Sequence, residues 1–505
     1  MAMDERALDV ADLHVRIDGK PVVHGVSLHV RRGEILAVVG ESGAGKSVTA
    51  RALLGLVGDH AQVTAERLEI SGIDARRFAE RQWRGIRGTH IALVSQDALV
   101  SLDPLRRVEA EIAEPLRIHG AARSRTTLRQ RVVDLLDQVA MPDPERRRRQ
   151  YPHELSGGLR QRALIASALA GDPAIIIADE PTTALDATVQ ARVLRLLRAI
   201  ADRGVGIVFI SHDLAAVSHL SDRVAVMQAG RIVEEGKTAD VLTAPQHEHT
   251  AVLVAAASHR AGAPRTARGD IALRVEHVSK RFDRVAVDDA SFTLAAGRTL
   301  AIVGESGSGK TTIARMIVGV EHPDTGEIHV AGDMGRARAV QYVHQNPLGA
   351  FDPRWTIGRS LREAVAAGAV PRADRARAVE ALMREVDLDP ELCARRPAQL
   401  SGGQRQRAAI ARALAAAPEI LVLDEPVSAL DASVRERVLA LLARVQRERD
   451  LAMVFISHDL NVVSAIADDV LVLQDGVTVE QGPVSQVFGS PQHPFTKELL
   501  AAGLV

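Results

Sequence analysis

Gly40-Glu41-Ser42-Gly43-Ala44-Gly45-Lys46-Ser47 follows the apolar run Ile35 to Val39, and Gly304-Glu305-Ser306-Gly307-Ser308-Gly309-Lys310-Thr311 follows Leu300 to Val303. Both obey the spacing Gly-x-x-x-x-Gly-Lys-[Ser/Thr]. Glycines keep Cβ atoms out of such a loop, so successive backbone N–H groups can curl around one phosphate. The lysine adds a compact positive charge, and the helix that starts there, with Val48 or Thr312 in its first turn, aims its N-terminal dipole at the same anion. Ser47 and Thr311 stand where their hydroxyls can ligate Mg2+. Only six lysines occur among 63 basic residues, and two of the six occupy these matching positions. A buried strand, a phosphate loop and a helix, repeated in one chain, predict an α/β protein with two nucleotide sites.

The repetition extends outward from the loops. Leu155-Ser156-Gly157-Gly158 recurs as Leu400-Ser401-Gly402-Gly403, Ala178-Asp179-Glu180-Pro181 as Leu423-Asp424-Glu425-Pro426, and Ile210-Ser211-His212-Asp213 as Ile456-Ser457-His458-Asp459. The offset is 264 residues at the loops and 245 or 246 at the later motifs, so the copies differ in length near residues 55–95. A whole domain is duplicated. Residues 1–257 form the first domain, the Ala/Gly-rich stretch at 258–270 a linker, and 271–505 the second domain.

Two further motifs carry chemistry. The runs ending in Asp179-Glu180 and Asp424-Glu425 place paired carboxylates at the end of a buried strand. The first of each pair can hold Mg2+ through water, and the second can polarise an attacking water as general base. Ser156-Gly157-Gly158 and Ser401-Gly402-Gly403-Gln404 each open a helix, expected over 163–170 and 408–417. A serine N-cap with bare glycine N–H groups is an ordinary helix start, and also an anion site. A domain that already owns one phosphate loop has no need of a second for the same nucleotide. This one therefore suits the γ-phosphate held by the other domain.

Composition narrows the function classes. Hydrophobic residues make up 46% and charged residues 25%, the balance of a water-soluble globular chain. A net charge of −1 argues against bulk electrostatic attraction to nucleic acid. The single cysteine, Cys393, excludes an internal disulfide and a cysteine-ligated iron–sulfur cluster. No apolar signal core follows the N-terminus and no 18-residue apolar run occurs, so service to a membrane is expected to run through docking on another subunit.

Phosphate loop, Ser-Gly-Gly signature, Asp-Glu strand end and downstream histidine, in that order and twice, resemble the ATP-binding cassette (ABC) ATPases over nearly the whole chain. The resemblance implies two tandem cassettes, each a P-loop core with an antiparallel β subdomain and a helical signature subdomain, binding ATP and Mg2+. By the same resemblance Gln96 and Gln345 are Q-loop glutamines that touch Mg2+ and link the site to a membrane partner. Ala184-Leu185-Asp186 and Ala429-Leu430-Asp431 match the D-loops, and His212 and His458 the γ-phosphate histidines. Phe282 matches the aromatic that stacks on adenine, where the first half has Ile17. The cassettes are expected to pair head to tail, Lys46 and Glu180 acting with Ser401, and Lys310 and Glu425 with Ser156. Leu159 departs from the signature glutamine that the second copy keeps as Gln404.

Finer features resemble the dipeptide, oligopeptide and nickel importers. These are the extended Q-loops Ser95 to Pro104 and His344 to Pro353, Tyr151-Pro152-His153-Glu154 before the first signature, and the tails Pro245-Gln246-His247 and Pro491-Gln492-His493. The cysteine cluster that many such relatives carry in the tail is missing. The subfamily implies two transmembrane permease subunits, an extracytoplasmic substrate-binding protein, no nucleic acid, and a peripheral place on the cytoplasmic face of the inner membrane. An exporter ATPase, or a soluble tandem-cassette ATPase acting on the ribosome, would share the nucleotide motifs. The short Ala/Gly-rich linker speaks against the second, and the Q-loops and tails against the first.

Overall fold

A computed structural model describes residues 6–41, 43–58, 60–95, 101–120, 124–182, 187–257, 270–332, 335–428, 430 and 432–503. The chain divides into two compact units whose main boundary falls at residue 258. The linker expected at 258–270 lies, but for Asp270, outside the described residues.

In the first unit a six-stranded sheet runs in the spatial order Arg231–Lys237, Arg223–Gln228, Ile35–Val39, Gly206–Ile210, Ile175–Asp179, Ile91–Val94. Every residue of Ile35–Val39, Ile175–Asp179 and Gly206–Ile210 is buried. These strands are parallel to one another, and burial on both faces explains why they read as continuous Ile/Val runs rather than alternating ones. A smaller antiparallel sheet, built around Arg6–Ile17 and Lys20–Arg31, alternates buried and exposed positions and covers one side. On the other side Val108–Ile118, Arg125–Gln138 and Gly157–Leu169 pack as a helical group.

The second unit repeats this plan. Thr299–Gly304 lies between Asp469–Gln474 and Ala452–Ile456, followed by Ile420–Asp424 and Val340–Val343. Ile357–Ala367, Arg375–Glu385 and Gly402–Leu414 supply its helical group. Here the two sheets join into one through the parallel pair Asp288↔Val477. The backbone bond from Asp288 N to Gly476 O, 2.8 Å, recurs in the first unit between His24 N and Gly230 O at the same length. The length difference has a clear seat. The first unit spends Ala61–Asp74 on three short strands and Glu80–Ile86 on a helix, where the second has one strand, Thr325–Val330, and the four-residue helix Arg336–Ala339.

Both signature helices begin earlier than the sequence pattern predicts, at Gly157 and Gly402. The glycines belong to the first helical turn because Ser156 and Ser401, in extended backbone geometry, already act as N-caps. The second glycine of each pair is needed for packing. A Cβ on Gly158 would sit 2.2 Å from Val189 Cγ1, and one on Gly403 2.3 Å from Val434 Cγ1.

Candidate nucleotide sites

Each phosphate loop connects an interior strand of its unit's sheet to a helix, Lys46–Leu53 or Lys310–Val318. The first glycine of each loop is fixed by close approach. A Cβ on Gly40 would lie 2.2 Å from Met227 O, and one on Gly304 2.2 Å from Leu473 O, with φ of 150° and 151°. Gly43 and Gly307 adopt φ of 84° and 85°, left-handed geometry that glycine takes without strain. The lysines are buried and curl back onto their own loops. Lys46 Nζ donates to Gly40 O at 2.6 Å and Glu41 O at 2.9 Å, and Lys310 Nζ to Gly304 O at 2.8 Å and Glu305 O at 2.7 Å. Ala44, Gly45 and Ser308 are buried around them, Gly309 half-buried. Ser308 Oγ is buried with no hydrogen-bond partner, which leaves an unsatisfied hydroxyl inside the second loop. Ser306 is exposed, and Val48 and Thr312 are half-buried in the first helical turns. Ser42 lies outside the described residues.

The carboxylates at the strand ends fall beside these loops. Ser47 Oγ donates to Asp179 Oδ1 at 3.1 Å. Burial pushes the Asp179 carboxyl up, against the Ser47 bond, and the charge of Glu180 adds to the rise. A cation would relieve both strains. Among the described residues no cluster of three His, Cys, Asp or Glu side chains makes a self-sufficient metal site. One hydroxyl and one carboxylate, with phosphate and water oxygens completing the shell, is the donor set that suits Mg2+. In the second unit Thr311 is exposed, and Asp424 Oδ2 instead accepts from Tyr342 Oη at 2.5 Å. Burial and then the bond from Asp424 push the Tyr342 phenol far above its usual value, so it remains the donor.

The next residues, Glu180 and Glu425, adopt φ of 49° and 48°, left-handed geometry that costs a glutamate about 1 kcal/mol or more and is tolerated where surrounding structure over-determines it. Backbone bonds supply that constraint, from Glu180 N to Ile210 O at 2.9 Å and Glu425 N to Ile456 O at 3.0 Å. The turn brings each glutamate to its histidine. His212 Nδ1 lies 3.2 Å from Glu180 Oε1, and His458 Nδ1 3.2 Å from Glu425 Oε1. Gln345 Nε2 donates to Glu425 Oε2 at 2.8 Å. Burial opposes ionisation of Glu425, but the bond and charge of His458, the charge of Lys310 and the Gln345 bond outweigh it and hold the carboxyl below its usual range. Burial likewise opposes the charged form of His458, and Glu425 overcomes it, so the imidazole is raised. The histidines are steadied from behind. Asp213 and Asp459 cap the following helices, and they also accept from Gln190 Nε2 at 2.6 Å and Arg435 Nη1 at 2.8 Å. Gln96 and the D-loop residues Ala184, Leu185, Asp186, Ala429 and Asp431 lie outside the described residues, and Leu430 is buried.

The signature helices differ at their caps. Ser401 Oγ accepts from Gln404 N at 3.3 Å while Gln404 Oε1 accepts from Ser401 N at 3.0 Å, a reciprocal capping box. Ser156 makes no side-chain cap bond, and Leu159 offers no oxygen to return one. Phe282, the residue expected to stack on adenine, is 51% exposed at the tip of a hairpin, with Lys280 Nζ 5.5 Å from its ring centroid. Ile17 packs half-buried against the core of its unit.

Two features escaped the sequence reading. Tyr342 carries no motif signal, since the first copy has Leu93 in its place. The tails are clamped by Glu234 and Glu480. Glu234 accepts from the backbone N of Gln246 and His247 at 2.9 and 3.0 Å, and Glu480 from Gln492 and His493 at 3.0 Å each. The repeated Pro-Gln-His was the available clue, because an identical turn in both copies needs an identical partner.

Comparison with known proteins agrees with this geometry. The ABC transporter family profile matches residues 23–183 and 287–428, and that of the oligopeptide/dipeptide transporter C-terminal region matches 479–503. The chain is 42% identical to the peptidoglycan transport ATP-binding protein YejF of Agrobacterium fabrum, over 95% of this chain and 92% of that one. It is 39% identical to the glutathione import ATP-binding protein GsiA of Salmonella typhimurium, over 99% and 90%. Among solved structures, an archaeal ribosome recycling factor aligns over 98% of this chain and 95% of its own with a TM-score of 0.67 and 19% identity, a likeness of fold alone. Duplicated phosphate loops, strand-end carboxylates and signature helices, with relatives matched along almost their full length, make the chain a member of the ABC transporter family, an ATPase with two cassettes and the C-terminal region of the oligopeptide/dipeptide transporters.

Proposed function

We propose that this ATPase powers import of peptides or similar small solutes through two separate permease subunits, supplied by an extracytoplasmic binding protein, from a peripheral position on the cytoplasmic face of the membrane. The observation that supports the reading is a histidine 3.2 Å from the strand-end glutamate in each cassette, together with the oligopeptide/dipeptide transporter C-terminal region. No helix among the described residues is long and apolar enough to cross a membrane, which fits a subunit that borrows its membrane path. Relatives in peptidoglycan transport and glutathione import support a peptide-like solute.

The residues divide the work. The N–H groups of residues 40–47 and 304–311, with Lys46 and Lys310, bind the phosphates of ATP. Ser47, Asp179 and Gln96, and Thr311, Asp424 and Gln345, would hold Mg2+, which when bound neutralises the β- and γ-phosphate oxygens. Glu180 and Glu425 accept a proton at a carboxylate oxygen from water as its oxygen bonds the γ-phosphorus and the bond to ADP breaks. His212 and His458 orient those carboxylates and face the γ-phosphate. Head-to-tail pairing, as the family resemblance implies, brings Ser401-Gly402-Gly403 to the Lys46 site and Ser156-Gly157-Gly158 to the Lys310 site. Closure on two ATP molecules then drives the permease, because the closed state binds them better than the open one.

The test is isolation of the tagged chain in mild detergent with identification of co-purifying proteins. Two polytopic permeases, with ATPase activity stimulated by a peptide-loaded binding protein, are expected. Ribosomal proteins without a permease would overturn the transport reading.

A further inference from the structure

The two cassettes secure their magnesium-side carboxylates differently, and one residue accounts for it. Tyr342 is the third residue of Val340–Val343 and sits in register with Val422, so Asp424 lies two residues further along the adjacent parallel strand, on the same face. The phenol is long enough to span that diagonal and donates to Asp424 Oδ2 at 2.5 Å, the short end of the range for a hydroxyl bonded to a carboxylate. The ring also packs edge to face on His344, with centroids 4.5 Å apart. The equivalent lattice point in the first cassette is Leu93, in register with Ile177 and two residues short of Asp179. Leucine donates nothing, and there the carboxylate is met by Ser47 from the phosphate loop instead. Among the described residues Thr311 makes no matching bond to Asp424, and no second side chain donates to that carboxylate.

We propose that Tyr342 is a positioning residue that orients the Asp424 carboxylate toward a bound divalent cation. The second site then receives its metal on a carboxylate already turned, whereas among the described residues the first has the loop serine as the donor to its carboxylate. Groups that fix a metal-ligating carboxylate from outside the coordination shell set metal affinity, and losing one costs about tenfold to a hundredfold. The inference rests on the reading of Asp424 as a magnesium residue.

The test is a Mn2+ titration of the full chain with a non-hydrolysable ATP analogue, followed by electron paramagnetic resonance, in wild type and Tyr342→Phe. Phenylalanine keeps the ring and its packing on His344 and removes only the hydroxyl. One of the two Mn2+ sites is expected to weaken about tenfold, with the other unmoved. Leu93→Tyr, as the reciprocal variant, is expected to tighten the first site. Equal affinities in wild type and Tyr342→Phe, or a loss shared equally by both sites, would overturn the proposal. Absence of Mn2+ binding in the wild type would remove the metal reading itself, and this inference with it.

Discussion

The first cassette pairs Ser47 with Asp179, has Ile17 where the second has Phe282, and opens its signature helix without a side-chain cap. The second pairs Tyr342 with Asp424, exposes Phe282 at a hairpin tip, and closes its signature with a reciprocal Ser401–Gln404 box. Against these differences stand groups that do not vary. Both glutamates sit in left-handed geometry and both histidines approach them at 3.2 Å. The contrast teaches that duplication has preserved the glutamate–histidine pairs and let the contacts proposed for metal and adenine, and the signature caps, drift. Under head-to-tail pairing the drifts combine. If the cassettes pair as proposed, the Lys310 site would combine Phe282 and Tyr342 with the uncapped Leu159 signature, and the Lys46 site would combine Ile17 with the capped one.

The largest effect should come from the conserved pair. Glu180→Gln and Glu425→Gln are each expected to lower hydrolysis at their own site by about a hundredfold or more, the usual worth of a general base. Single-turnover hydrolysis in each variant reports the surviving site. Slower turnover in Glu180→Gln than in Glu425→Gln is expected, since its surviving site uses the Leu159 signature. Equal rates would break the asymmetry. Next, Phe282→Ala should weaken nucleotide binding at the second cassette by about tenfold, as loss of base stacking does, while Ile17→Ala leaves the first nearly unchanged. Equilibrium binding of a fluorescent ATP analogue to the full chain checks both.

A smaller change is expected at the caps. Gln404→Leu removes the returning bond and should cost about 0.5–1 kcal/mol of stability, and Leu159→Gln should restore a few tenths. Chemical denaturation with two resolved transitions would assign each change to its unit. The smallest effect concerns pH. Burial alone would raise the carboxyls of Glu234 and Glu480, but their hydrogen bonds, most of them from the tail backbone, outweigh it and depress both. A depressed carboxyl contributes stability that is present above its unfolded value and lost as pH falls through its folded one. The tails should therefore loosen below roughly pH 4, and Glu234→Gln with Glu480→Gln should flatten that acid dependence of the melting temperature. An unchanged acid profile would show that the two clamps contribute nothing measurable.

Much of the fold was legible because the deciding signals are local. A Gly-x-x-x-x-Gly-Lys loop between an Ile/Val run and a helix states its own geometry, and its recurrence exposed the duplication without any structure. The helical starts at Gly157 and Gly402 were legible only in part, since apolar periodicity begins several residues after the serine cap that starts the helix. Tyr342 was not legible at all. Its role depends on which residue of a neighbouring strand, 82 positions away, lies on the same face, and no spacing within a motif encodes that.

By itself the sequence determined which chemical groups this protein owns, their order, and their presence in two copies, because each motif is a contiguous stretch whose backbone conformation follows from its own glycines and caps. The tertiary structure decided which of those groups meet. Ser47 reaches Asp179 across 132 positions, each histidine finds its glutamate from a different strand, and Glu234 and Glu480 hold tail residues 12 positions later. Those encounters depend on strand register and helix packing, which are settled by burial of the whole core rather than by any short run of residues.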